Sequence, residues 1–280
     1  PGALAHPALV WDVAIGQSTL LTARVIANLF YRGLVLARIP SIGDTLHTST
    51  EVVALRRAST RADRPASGLA ALRVRTVDHD GHDVLDFWRC AMLPLRDPAA
   101  PSDRDDSFDQ IPAELGEGAL RAATASWRLD AMPAAGGGWL ARVEPGTRWA
   151  VDGGDVVSSA PELARLSLNV AAVHRDRHVH RDGRRLVYGG HTIGLAAAQA
   201  SRSLPEIATI VGWHSCEHLA PVHEGETLYS ELELERVDAL SNGGALAHLR
   251  SRVVALGDPG DPGDEGGTPV LDWRFVAVIT

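Results

Sequence analysis

The chain has 280 residues, a hydrophobic fraction of 45% and a formal net charge of −8, enough to bury one large core or two ordinary ones. The acidic balance, with a pI near 5.8, argues against the basic face that a nucleic-acid partner needs. Two cysteines in different halves, Cys90 and Cys216, form no disulfide framework, and no apolar run reaches membrane-spanning length, so a cytoplasmic protein without a membrane partner is expected.

In chain order, a helix is predicted over Ile15 to Leu29, following LVWDVAIG (9–16). ALRVRTVD (71–78) reads as a strand, DHDGHD (78–83) as a hairpin tip and VLDFWRCAML (84–93) as the returning strand. RDPAAPSDRDDSFDQIPAELGEG (96–118) is polar, acidic and Pro-rich, the composition of a linker. Residues 140–151 are predicted as a strand, and Pro161 to Asn169 as a short helix entered from Ser158-Ser159. A second long helix, Thr192 to Leu204, is rich in Ala and Gly, which suits a helix enclosed by a sheet. TLYSELELERV (227–237) alternates apolar and polar residues, the period of a half-solvated strand. ALAHLRSRVVAL (245–256) and the closing VLDWRFVAVI (270–279) are also strand-like, and the Gly/Asp/Pro stretch 257–267 is expected to be a mobile tip.

These elements repeat. Gly43-Asp44-Thr45-Leu46 falls on Gly225-Glu226-Thr227-Leu228, within blocks 39–55 and 220–236, and that offset places Tyr31 on Trp213. Residues 84–93 match 270–279, and 9–16 read against 187–194. Four blocks in the same order indicate a tandem duplication: a first module over 1–96 whose start is expected to be missing, a linker over 97–139 and a second module over 140–280. One long helix wrapped by an antiparallel sheet, present twice, is an α+β tandem double hotdog, in which the two sheets join.

Asn169 and His174 stand five apart in SLNVAAVHRD (167–176), just ahead of RRLVYGGHTIGLAAAQ (184–199). With GWHSCEHLAPVHEGETLYSELE (212–233), these segments resemble the MaoC-like hydratases, and among them the mesaconyl-CoA hydratase, or β-methylmalyl-CoA dehydratase, branch. The likeness covers 160–280 well and 1–95 only as a degenerate partner. It implies hydration or dehydration of an acyl-CoA thioester, with no metal and no redox cofactor, on a short branched or dicarboxylic acyl group; a homo-oligomer is left open.

Such a reaction needs a base for water, an acid for the α-carbon and donors for the enolate oxygen. His174 is expected to be the base. Asn169 stands where most of the family has Asp; an amide does not titrate, so it would orient water, with Asp176 or Glu217 as a helping carboxylate. Gly189 and Gly190 at the start of the central helix would offer N–H groups to the oxyanion and let the thioester approach. Tyr188, His191, Arg184 and Arg185 are assigned to substrate binding. The last two belong to a basic run with Arg175, Arg177 and Arg181 suited to the phosphates of coenzyme A, a run that could equally be a solvated loop. The repeat alignment puts Trp11-Asp12 where the second copy has Gly189-Gly190, so only the second copy is expected to be catalytic. His214, Cys216 and His218 would share a strand face, followed by His223; a zinc site there is disfavoured, and that face is expected to border the acyl tunnel with Trp213 on the other side. Cys90 and Cys216 read as packing residues. A hotdog acyl-CoA thioesterase and a non-catalytic acyl-CoA-binding module remain alternatives.

Overall fold

The computed structural model describes residues 2–59, 66–99, 104–132, 136–179, 183–257 and 266–280. Two sets of four long strands carry it. The first is β1 (Ala27–Leu36), β2 (His47–Arg57), β3 (Ser67–Val77) and β4 (Asp83–Pro94); after the short β5 (Arg148–Ala150) and β6 (Asp155–Val156), the second is β7 (Ile207–His218), β8 (Thr227–Ala239), β9 (Ala245–Leu256) and β10 (Thr268–Ile279). The helices are α1 (Pro7–Ser18), α2 (Glu117–Thr124), α3 (Ala160–Leu166) and α4 (Gly189–Ser203). The strands make one sheet in the order β2-β3-β4-β1-β7-β10-β9-β8-β5, continuous because β1 pairs antiparallel with β7 from Phe30–Glu217 to Val35–Gly212. This is the double hotdog expected from the repeat. None of the described helices is long and apolar enough to cross a membrane.

The repeat is legible atom by atom. An offset of 182 residues takes Gly43 to Gly225, whose φ values are 104° and 98°. It takes the Leu4–Ser41 bridge to Leu186–His223, and the Ala5 N–H to Pro40 carbonyl bond to that from Val187 to Val222. It also takes the Asp44 carboxylate on the Ser41 amide to the Glu226 carboxylate on the His223 amide. The same offset sets Pro7, the first residue of α1, on Gly189, the first residue of α4. The alignment of 9–16 with 187–194 is therefore four residues out, and Trp11-Asp12 does not occupy the place of Gly189-Gly190. A slip of four is close to one helical turn, so it preserves the helix face and leaves the apolar pattern matched.

Other elements also differ from expectation. The first helix is Pro7–Ser18, not 15–29. Pro7 stands in its first turn and the His6 ring accepts the Ala8 amide, whereas Ser18 and Thr19 close it by donating to the Ile15 and Gly16 carbonyls. The second long helix starts three residues early, at Gly189, and the short one ends at Leu166, with Leu168 in the left-handed region at φ 61°. Residues 140–151 give a 3-10 turn at Leu140–Arg142 and only three strand residues, Arg148–Ala150. The expected linker is a packed strap. The Asp106 backbone and carboxylate pair with Leu55 at the end of β2, and Leu115, Leu120 and Ala123 cluster with Val211, Leu246, Val276 and Val278 on the sheet face opposite the central helices. Apolar residues spaced along a polar segment gain more from covering that face than the segment loses in entropy. The tip over 257–267 lies, beyond Gly257 and short of Gly266, outside the described residues.

Between the helices and the sheet, an aromatic core spans both modules. Trp213 of β7 meets Trp11 of α1 at 5.0 Å and Trp273 of β10 at 5.6 Å, and Tyr31 of β1 at 6.0 Å. Edge-to-face pairs of this kind add to area burial, so α1 is fixed against the second module's sheet as well as its own.

Candidate active site

Where the two central helices meet, the C-terminal part of α1 lies against the loop that follows α3. A methyl group on Gly16 would overlap the Ser167 carbonyl oxygen and lie 3.2 Å from the Asn169 nitrogen, and Thr19 Oγ1 accepts the Val170 amide at 3.0 Å. This contact holds the segment bearing Asn169 and His174.

Asn169 is buried and forms an Asx turn, its Oδ1 accepting the Ala171 amide at 2.9 Å. Its Nδ2 has no hydrogen-bond partner among the described residues, which leaves a donor for water. His174 ends the short 3-10 turn Ala172–His174 and is 8% exposed. Its Nδ1 lies 3.0 Å from the Leu186 carbonyl. A carbonyl can only accept, so Nδ1 carries the proton and Nε2 the lone pair. Burial pushes the His174 pKa down to about 4 against the opposing bond to Leu186, and the Arg89 and Arg175 charges lower it further. The imidazole is neutral through the physiological range. The structure contains no hydrogen bond between Asn169 and His174. Replacing Asn169 with Asp would keep the Asx turn and bring a carboxylate into the loop. We expect an active Asn169→Asp enzyme whose acid limb moves to higher pH, because a nearby negative charge favours the imidazolium; a pH–rate profile superimposable on wild type would separate residue 169 from His174.

Tyr188 precedes α4, its ring 5.9 Å from that of His174, and its hydroxyl donates to the Asp12 carbonyl at 3.2 Å. The substrate-binding residue expected at 188 thus holds the two central helices together. Both glycines at the start of α4 are required by protein neighbours. A Cβ at Gly189 would fall 2.6 Å from His218 Nε2, and one at Gly190 would overlap Asp12 Oδ1 and lie 2.6 Å from the Tyr188 ring. Asp12, placed by the sequence in the first copy's anion site, is therefore beside the second copy's helix start. It is 6% exposed. Burial raises its carboxyl to about 7, against the lowering effect of the Tyr188 hydrogen bond.

His218 completes this wall. Its Nε2 is buried without a partner, and burial, then the Arg89 and His174 charges, lower its pKa to about 4. His191, on α4, has a buried Nδ1 without a partner, and burial lowers its pKa. Arg89 of β4 is 2% exposed and held by neutral groups, Ser18 at 2.6 Å and Asn28 at 3.1 Å; among the described residues no carboxylate pairs with it. His218 does border the helix start as its strand face implies, Asp12 arrives from the other module rather than filling its own, and Arg89 has no signal in the sequence; only the packing of one module on the other assembles the three.

The remaining candidates lie elsewhere or are already engaged. Asp176 accepts the His178 amide on an exposed turn, and Glu217 pairs with Arg32 at 3.2 Å, pointing away from the helices between Cys216 and His218. Arg185 pairs with Glu224, and Arg184 with Glu226 at 2.5 Å, tying the segment before α4 to the β7–β8 loop. Arg175 bonds the Val170 carbonyl at 3.0 Å; Arg181 lies outside the described residues. The expected His214–Cys216–His218 face does not form. A register shift opposite Arg274 and Phe275 puts Trp213, Cys216 and His218 on the helix side, and turns His214 outward to bond His248 at 2.8 Å and the Leu115 amide at 3.2 Å. Cys90 and Cys216 are both buried and free.

No protein-family model matches the chain. A solved Mycobacterium tuberculosis protein, described as having a double hotdog fold, is 49% identical over the whole of this chain and 83% of its own, with a TM-score of 0.83. The β-methylmalyl-CoA dehydratase of Chloroflexus aurantiacus is 29% identical over 260 residues, 89% of this chain and 72% of the relative. The mesaconyl-CoA hydratase of Cereibacter sphaeroides is 29% identical over 270 residues, 91% of this chain and 74% of the relative.

Proposed function

The chain belongs to the MaoC-like double-hotdog family, and on that premise we propose that it adds water to, or removes it from, the α,β bond of an acyl-CoA thioester. The observation that carries this reading is the neutral His174, whose tautomer is fixed by Leu186 and whose Nε2 is left as a base. In hydration, Nε2 takes a proton from water that Asn169 Nδ2 helps to orient, and the hydroxyl adds to the β-carbon. The electron pair moves onto the thioester oxygen, held by the N–H groups at the start of α4, where unsatisfied donors and the helix dipole favour negative charge. The two dehydratase and hydratase relatives point to a short branched or dicarboxylic acyl group such as the mesaconyl group. Arg89, a buried guanidinium with no carboxylate beside it among the described residues, suits an acyl group that carries one.

Hydrolysis of the thioester is the second reading, and Asp12 at the helix start favours it. Attack at the thioester carbon needs an ionised carboxylate, however, and burial, which raises the Asp12 carboxyl to about 7, disfavours that form below neutral pH. A panel of enoyl-CoA esters, including mesaconyl-CoA and crotonyl-CoA, separates the readings. Loss of the conjugated ultraviolet band without thiol release supports hydration. Thiol release supports hydrolysis, and binding without either leaves an acyl-CoA-binding module.

A further inference from the structure

We propose that Asp12, contributed by the first module's central helix, is the acid that protonates the α-carbon, in place of the carboxylate that position 169 lacks. This rests on the hydratase reading above. Asp12 Oδ1 stands where a Cβ on Gly190 would point, beside the N–H groups proposed to hold the thioester oxygen. The α-carbon of the substrate is one bond from that carbonyl, so a carboxyl at Gly190 is within reach of the carbon that must be protonated. The chain holds no other carboxyl at this helix start among the described residues: Asp176 and Glu217 face elsewhere, and Glu224 and Glu226 are paired with Arg185 and Arg184.

The step balances. His174 Nε2 accepts the proton of water as the oxygen bonds to the β-carbon, and the π pair becomes the enolate. The enolate collapses as its α-carbon takes the Asp12 proton, leaving an aspartate and an imidazolium; proton transfer between them restores the resting state. Burial supplies the protonated form this requires, with the Asp12 pKa near 7 rather than in the ordinary carboxylate range. The ionisable groups around Asp12 are Tyr188 ahead of α4 and Tyr31 on β1, both kept neutral by burial. His174 and His218 flank them, neutral for the same reason, and the charge of Arg89 comes from β4.

Asp12→Asn tests the assignment, because an amide copies a protonated carboxyl in shape and still accepts from Tyr188 but has no proton to give. With the best enoyl-CoA of the panel, kcat should fall roughly 10²–10⁴-fold at little cost in KM. In wild type, kcat/KM for hydration should decline as pH rises through about 7, as Asp12 ionises, and in Asp12→Asn that limb should vanish from the residual rate. A variant within a few-fold of wild type with the same limb overturns the proposal. If Asp12→Asn does not fold, the wild-type profile decides, and a flat kcat/KM between about pH 6 and pH 9 overturns it. A wild-type protein that hydrates none of the panel overturns the hydratase reading and this assignment together, whereas an active wild type with an active Asp12→Asn overturns this assignment alone.

Discussion

His174→Ala should lower hydration turnover by roughly 10²–10⁴-fold, the range expected for the loss of a positioned acid–base group, while the protein stays folded. The fold should survive because the ring's one hydrogen bond is to the Leu186 carbonyl, and a lost bond of that kind costs about 1 kcal/mol. The pH dependence follows from the sign of the shift. The base must be unprotonated, and burial sets its pKa at about 4, so the acid limb of wild-type kcat/KM belongs near pH 4 rather than near an ordinary histidine's value. Stability carries the same signature. The unfolded chain binds a proton at 174 below about pH 6.5, which the folded chain refuses until about pH 4. Stability from this group is thus intact above 6.5 and is lost as pH falls toward 4, by up to roughly 3 kcal/mol. Melting temperatures should fall more steeply over that window in wild type than in His174→Ala. A variant with turnover within a few-fold of wild type would remove His174 from the mechanism.

The second large effect is structural in origin and catalytic in outcome. Gly16→Ala adds a methyl that would overlap the Ser167 carbonyl, with the Ser167 carbonyl carbon 2.7 Å and the Asn169 nitrogen 3.2 Å away. These are backbone atoms, which cannot rotate aside, so either α1 or the 167–170 loop must move. Overpacking of this kind costs roughly 1–3 kcal/mol and occasionally more, about 2–12 °C in melting temperature at 2–4 °C per kcal/mol. The loop carries Asn169 and leads to His174, so activity should fall further than stability, with kcat reduced at temperatures where the variant is fully folded. Full turnover in folded Gly16→Ala would mean that the α1 contact does not position the catalytic loop.

The alternating run of β8, the Gly43/Gly225 turns and the Asn169–His174 spacing ahead of Gly189-Gly190 are local signals; the first two carried the fold class and the duplication, and the third marks His174 as the proposed base. Period-2 polarity and positive-φ glycines act over a few residues and can be read without knowing what lies across the core. Helix register was less secure. Four residues are nearly one turn, so the repeat aligns the first helix one turn out without disturbing its pattern and sets Asp12 on Gly190 rather than on Gly194. Strand face was lost at His214 for a related reason, since one irregularity in β7 reverses every later side chain and nothing local announces it. Whether 96–118 floats or packs depended on the apolar sheet face it covers. The environment of the site was decided by tertiary structure alone. Asp12 from α1 lies against Gly190, His218 from β7 against Gly189, and the charge of Arg89 from β4 acts on His174 and His218, only because the two modules share one sheet and pack their central helices together. The displaced pKa values of Asp12, His174 and His218 follow from that shared burial, which no short stretch of sequence encodes.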